Sequence, residues 1–201
     1  MKNNLKLILI LAAAMLLVVG AYLTWTALYS GVIEFQELSV ADYTTGKSID
    51  VSVHYPLRVL IGKTGLVRVK YGEPAGLIPG SALDQELDLP GFVVTPQKRI
   101  MTSLIEGQKG TVAWKIVPVT PVESQGVTSL ALVSVPNGLF AISPTAQASF
   151  QIKAFSVLGM EYTTIIKLGM IFLAVGVLVL FIGLKLHSPQ PKMINKPHIY
   201  G

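Results

Sequence analysis

The sequence predicts an all-β sandwich carried between two transmembrane α-helices. Three observations predict it: an uncharged apolar run near each end, a charge-balanced middle, and period-two alternation of apolar and polar residues through that middle. No charged residue occurs from Leu7 to Ile33 or from Leu168 to Leu184. At about 1.5 Å of rise per residue, each run is long enough to form a helix that crosses the hydrocarbon core of a bilayer.

The first run is preceded by Lys2 and Lys6 and ends in Trp25, Leu28 and Tyr29, so Trp25 and Tyr29 are expected as aromatic anchors at the far interface. The same run also reads as a secretory signal, with Val19-Gly20-Ala21 as a cleavage site; the apolar stretch continuing through Tyr22, Leu23 and Trp25 favours a retained span. Beside the second run, Lys167 is expected to lay its stem along apolar surface and reach the headgroups with its ammonium.

Of 201 residues, 51% are hydrophobic, and the net charge is +5. Between positions 30 and 160 ten basic residues balance ten acidic ones. The surplus comes from Lys2, Lys6, Lys167, Lys185, Lys192 and Lys196 against Glu161, which is membrane-flanking charge and speaks against nucleic-acid binding. By the positive-inside bias both termini are cytoplasmic. The expected order is a cytoplasmic N-terminus (1–6), a transmembrane helix (7–29), an extracytoplasmic β-sandwich domain (30–160), a second transmembrane helix (161–184) and a cytoplasmic basic tail (185–201), in a bacterial plasma membrane. The chain has no cysteine, which excludes disulfides, thiolate nucleophiles and cysteine-based zinc sites.

Small residues recur every seventh position in both runs: Ala13, Gly20 and Ala27 in the first, Gly169, Gly176 and Gly183 in the second. That interval is nearly two helical turns, so each set falls on one helix face. An antiparallel pairing with Ala27 opposite Gly169, Gly20 opposite Gly176 and Ala13 opposite Gly183 lets the backbones approach closely, and such packing drives helix association in lipid.

In the middle, strands are expected at 32–40, 48–54, 57–61, 65–71, 91–95, 99–105, 111–119, 127–135, 139–142 and 147–157. The turn signals are Gly62-Lys63-Thr64-Gly65, Glu106-Gly107-Gln108-Lys109-Gly110 and Pro136-Asn137-Gly138. Val67, Val69, Val112, Trp114, Ile116, Phe150, Ile152 and Ala154 sit at alternate positions and are expected in the core. The run from Pro56 to Gly62 followed by Val67-Arg68-Val69, and Gly110-Thr111-Val112-Ala113-Trp114 with Gly126 and Leu130-Ala131-Leu132 beyond it, resemble the strand grammar of bacterial membrane-anchored immunoglobulin-like modules. The resemblance implies an immunoglobulin-like β-sandwich and carries over no binding residue.

Gly72 to Pro90 reads as the longest connection and the candidate binding loop, with Ser81 capping one short helix. Within it Asp84, Glu86 and Asp88 are weak metal candidates; the EF-hand pattern fails, because the twelfth position counted from Asp84 is Thr95 rather than Glu. No cofactor is implied. His54 is the domain's only histidine, and no nucleophile elbow, zinc motif or phosphate loop occurs. The expected function is a noncatalytic binding or assembly module, an accessory subunit of a membrane complex, whose partners are the lipid bilayer and another membrane protein subunit or a second copy of the chain. A second reading is an extracytoplasmic ligand- or ion-sensing domain using the 72–90 loop, and a third is a membrane-bound hydrolase.

Overall fold

The computed structural model describes residues 2–29, 31–42, 45–135 and 141–185, with the side chains of residues 2 and 3 excepted. The chain divides into a helical unit, 1–25 with 166–201, and a β-rich unit, 26–165. The Pro136-Asn137-Gly138 turn lies outside the described residues, as do Lys192, Lys196, His187, His198 and the tail prolines.

Helix α1 spans Lys2–Leu28 and α2 spans Tyr162–Lys185. Both are long and apolar enough to cross a membrane. In the helical unit Ala13, Gly20, Gly169, Gly176 and Gly183 are all buried. A Cβ added to Gly20 would lie 2.9 Å from both Gly169 O and Leu173 N, and one added to Gly176 would lie 2.9 Å from Leu17 Cγ. Gly183 faces Ile10 and Leu9. The pairing is therefore antiparallel but displaced by about one helical turn from the expected one, which set Gly20 against Gly176. Glycine facing glycine leaves a notch; the displacement lets Leu173 fill the notch at Gly20 and Leu17 the one at Gly176, which recovers contacts that a void forfeits. Thr24 Oγ1 donates to Gly20 O at 2.8 Å, which keeps the hydroxyl bonded along its own helix.

The β-rich unit is a sandwich. One sheet has the order β1 (Ile33–Asp42), β2 (Lys47–Pro56), β4 (Gly65–Tyr71), β8 (Gly110–Pro118), β6 (Phe92–Thr95); the other has β3 (Arg58–Leu60), β11 (Ala146–Phe155), β9 (Glu123–Ser134), β5 (Ala82–Asp88), β7 (Arg99–Ser103), with β10 (Ala141–Ile142) also on β9. Only Leu57 separates β2 from β3, so the chain changes sheets at the Pro56-Leu57 corner, and β3 then pairs parallel with β11. All other pairs are antiparallel.

Alternation places Val51, Val53, Val67, Val69, Val112, Trp114 and Ile116 of the first sheet against Leu83, Leu87, Leu130, Leu132, Ala148, Phe150 and Ile152 of the second in one continuous core. Trp114 is fully buried, and its indole N–H donates to Gln97 O at 2.8 Å, which satisfies the polar atom that burial would orphan. Two glycines are covered by rings across the strand pair: Gly126 lies opposite Phe150 and Gly110 opposite Tyr71, and a Cβ at either would overlap the ring. An aromatic over a strand glycine restores the contact area that glycine lacks.

The 72–90 expectation is corrected. Ala82–Asp88 is a central strand of the second sheet, between β9 and β7. Leu83, Gln85 and Leu87 point inward, while Glu86 and Asp88 point to solvent. The acidic alternation read as a ligand loop is the polar face of a strand, since a two-residue period is the strand signature. The expected short helix is absent: Ser81 Oγ donates to Ile78 O at 2.7 Å and closes a turn before β5.

Between β11 and α2, Leu158 (φ 53°) and Gly159 (φ 73°) occupy the two corners of a tight turn closed by Met160 N to Val157 O at 3.0 Å. A branched side chain at positive φ is strained, and Leu158 is 87% exposed, so no packing offsets that strain. Leu158→Asn is expected to stabilise the folded chain by about 1 kcal/mol, read as a higher denaturant midpoint in detergent; an unchanged or lower midpoint contradicts the strain. For the helices, the cysteine-free background makes a crosslinking test clean: Leu17→Cys with Gly176→Cys should form an intramolecular crosslink more efficiently than Gly20→Cys with Gly176→Cys, and the reverse order would restore the unshifted register.

Candidate functional site

The β3–β4 turn, Gly62-Lys63-Thr64-Gly65, opens with Gly62 at φ 78°. From it Lys63 reaches the last turn of α1, where Nζ donates to Ala27 O at 2.7 Å and Leu28 O at 3.2 Å. A helix cannot bond its last carbonyls internally, and its C-terminal end carries partial negative charge, so an ammonium there satisfies both deficits. The same ammonium sits 5.5 Å from the centre of the Tyr162 ring. Tyr162 N donates to Ile61 O at 2.8 Å, just before the turn. One turn of the sandwich thus engages the last residues of α1 and the first of α2. Burial holds the Lys63 pKa below the usual lysine value.

Beside this turn lies the outer face of β1, β2 and β4. Strand register sets Phe35, His54 and Arg68 in one row and Glu37, Ser52 and Lys70 in the next. The Phe35 and His54 rings stack with centroids 5.5 Å apart and planes 26° apart. Ser52 Oγ and His54 Nε2 are 3.1 Å apart. At the end nearest the helices, Ile33, Pro56 and Leu66 join His54, Arg68 and Lys70 around a shallow cavity of about 320 Å³, whose rim includes Gly31, Thr64 and Gly65. Ile33 is 57% exposed and Phe35 61%. Outward strand positions are normally polar, so two large apolar side chains there mark a surface suited to contact.

The His54 pKa lies below the usual imidazole value, first because of burial and then because Lys70 and Arg68 repel a proton. On the inner side of the same edge, Tyr55 stacks on Phe150 at 4.6 Å, and its hydroxyl approaches Glu34 at 3.4 Å. Burial and the Glu34 charge raise the Tyr55 pKa.

The residues singled out in the sequence are dispersed. Asp84 accepts from Arg99 at 2.9 Å, and Asp88 from Lys98 at 3.2 Å, so two of the three acids of β5 serve cross-strand ion pairs. No group of three potential metal ligands occurs among the described residues. Trp25, Tyr29 and Lys167 are exposed, and Ala27 is buried. The remaining loop, 72–81, contributes to a shallow pocket lined by Pro74, Leu77, Ile78, Leu104 and Ile105, apart from the β5 acids. Sequence reasoning read Lys63 only as a turn residue. It also passed over the Phe35, His54 and Arg68 row, whose one signal was the apolar Ile33 and Phe35 at outward positions of β1; only strand register brings the row together.

No family model matches the chain, and no curated protein matches it. Among solved structures, a chain of the complex between zinc 2-glycoprotein and prolactin-inducible protein from human seminal plasma is similar at TM-score 0.38 and 8% identity, over 60% of this chain and 93% of its own. The cohesin module of a Clostridium perfringens family 33 glycoside hydrolase is similar at TM-score 0.37 and 12% identity, over 61% and 100%. The CARDB domain of a Pyrococcus furiosus protein, solved in complex with di-metal ions, is similar at TM-score 0.34 and 11% identity, over 63% and 90%. Likenesses at this level add no argument to the strand pairing above.

The row makes a pH prediction. As pH falls through the ordinary imidazole value, the unfolded chain takes up a proton before folded His54 does, so stability falls with pH between that value and the depressed one. The His54 ring protons are expected to titrate below about 6.5 in nuclear magnetic resonance spectra, and Lys70→Gln should move the midpoint upward. An unmoved midpoint would remove Lys70 from the electrostatics of this face.

Proposed function

We propose that this chain is a noncatalytic, membrane-anchored assembly module of bacterial type. In this reading α1 and α2 cross the plasma membrane with both termini in the cytoplasm, and the immunoglobulin-like sandwich acts at the outer surface on another subunit of the same membrane. The observation that carries the reading is the β3–β4 turn. Lys63 bonds the final carbonyls of α1, and Ile61 O takes the first amide of α2, so the sandwich is tied to the ends of both helices. β1 begins at Ile33, shortly after α1 ends at Leu28, and α2 begins at Tyr162, shortly after β11 ends at Phe155. A domain on such short connections has little reach, which favours a lateral partner over a distant soluble one.

A catalytic use of His54 has less support. A general base needs a group that orients the ring and stabilises its cation; here the neighbours are the Ser52 hydroxyl and the cations Lys70 and Arg68, which oppose protonation.

The test is extraction of the full chain from its native membrane in mild detergent. The expected result is a second membrane protein, or a second copy of this chain, at fixed stoichiometry. Lys63→Ala is expected to lower that recovery several-fold while the sandwich keeps its strand circular-dichroism signal. A homogeneous monomer from every detergent tested overturns the assembly role, and protease that trims the C-terminus while sparing the sandwich on intact cells overturns the sidedness.

A further inference from the structure

We propose that the cavity on the outer face of β1, β2 and β4 binds the phosphate of an anionic phospholipid from the bilayer that the helices enter, with Arg68 and Lys70 holding the phosphate and Ile33, Leu66 and Phe35 lying against the lipid's glycerol and upper acyl region. The inference rests on the membrane-anchored reading above and adds to it a ligand class and a site.

Three observations carry it. First, the cavity is chemically two-sided, as a headgroup boundary is: Ile33, Pro56 and Leu66 wall one part, and Arg68, Lys70 and His54 the other. Second, its cations lack partners of their own. Among the described residues the ion pairs are Lys98 with Asp88, Arg99 with Asp84 and Lys109 with Glu73; Arg68 and Lys70 join none of them. Both act on the His54 imidazole, where after burial they are the further causes of its lowered pKa, so their charge reaches the cavity. Third, the cavity adjoins the turn that bonds the last residues of α1. Thr64 and Gly65 of its rim belong to the turn whose Lys63 bonds Ala27 O and Leu28 O, and rim residue Gly31 lies between α1 and β1.

The apolar wall selects a lipid over a free anion. A soluble phosphate engages Arg68 and Lys70 but leaves Ile33 and Phe35 in water, whereas a lipid covers both. Arg68 is suited to the phosphate because its guanidinium presents two parallel donors, and Lys70 adds a point charge one row along the same strand.

The full chain is reconstituted into nanodiscs of phosphatidylcholine alone or phosphatidylcholine with phosphatidylglycerol, and acylation of Lys70 by an amine-reactive reagent is followed by peptide mass spectrometry. Phosphatidylglycerol is expected to slow labelling of Lys70 at least threefold while leaving Lys153, on the other sheet, unchanged. Arg68→Gln should abolish the protection, and Lys153→Gln, which removes the same charge elsewhere, should preserve it. Soluble glycerol phosphate added to phosphatidylcholine discs is expected to give no protection. Equal labelling of Lys70 in the two discs, protection that survives Arg68→Gln, or equal protection by soluble glycerol phosphate each overturns the lipid site. Failure of the chain to enter discs of either composition overturns the membrane reading as well, whereas entry without protection overturns the lipid site alone.

Discussion

The carbonyls that α1 cannot bond within itself set the constraint on which the rest of this architecture depends. A helix that ends in open water hands its last acceptors to solvent, but here the chain turns within a few residues into β1, and the acceptors meet a sheet instead. Lys63 resolves the mismatch with one side chain that bonds two of those acceptors and opposes the end of the helix dipole. Its own burial makes the ammonium harder to keep charged. The two carbonyls and the Tyr162 ring face supply the compensation that an isolated buried cation lacks. A side chain of similar length without a donor would fill the space and withdraw both of these hydrogen bonds.

That turn is where it is because of the sandwich. β2 crosses to the other sheet at Pro56-Leu57, and three residues of β3 pair with β11 before the chain reverses into β4. Val59 and Leu60, both buried, hold this short edge strand in place. Ile61 N bonds Phe155 O at 3.0 Å and Ile61 O accepts from Tyr162 N, so one residue links the end of β11 to the start of α2. The junction is therefore an outgrowth of core packing: the same strand that closes the sandwich positions the residue that receives the helix.

Much of the sandwich was legible because period-two alternation survives wherever a strand has one wet face. β4 appears at Gly65–Tyr71, as its alternation of Val67 and Val69 with Arg68 and Lys70 indicates. The failure at β5 has a specific cause. Its inward positions carry Leu83, Gln85 and Leu87, and a glutamine at the centre of the triplet breaks the apolar signal while the outward acids resemble a ligand set. Gln85 is fully buried, its amide reaches Thr102 at 3.4 Å, and its carbonyl oxygen has no hydrogen-bond partner among the described residues. Burial of such a group opposes folding, so the residue that hid the strand is also a weak point of the core. The helix pair shows a different limit: small residues every seventh position mark the contact faces, but the displacement of about one turn comes from how Leu17 and Leu173 fill the notches, which depends on volumes in three dimensions rather than on spacing.

The outer face of β1, β2 and β4 was the least legible region, for a reason that extends to any sheet surface. Ile33, Phe35, His54, Leu66, Arg68 and Lys70 come from three strands that are separated in the sequence. Only the register that sets Phe35 beside His54 and His54 beside Arg68 turns them into a patch with an apolar end and a cationic end. The order of the two ends then follows from chain connectivity. β1 runs away from α1, so its first outward residues, Ile33 and Phe35, fall nearest the helix, and the row of Glu37, Ser52 and Lys70 falls beyond them. β4 is antiparallel to β2 and begins at the same end with Leu66 before Arg68 and Lys70. Both strands therefore carry apolar side chains toward the helix ends and charge away from them. Such a gradient along the two strands that flank β2 sets an apolar part beside a charged part, which is the arrangement the proposed lipid site uses.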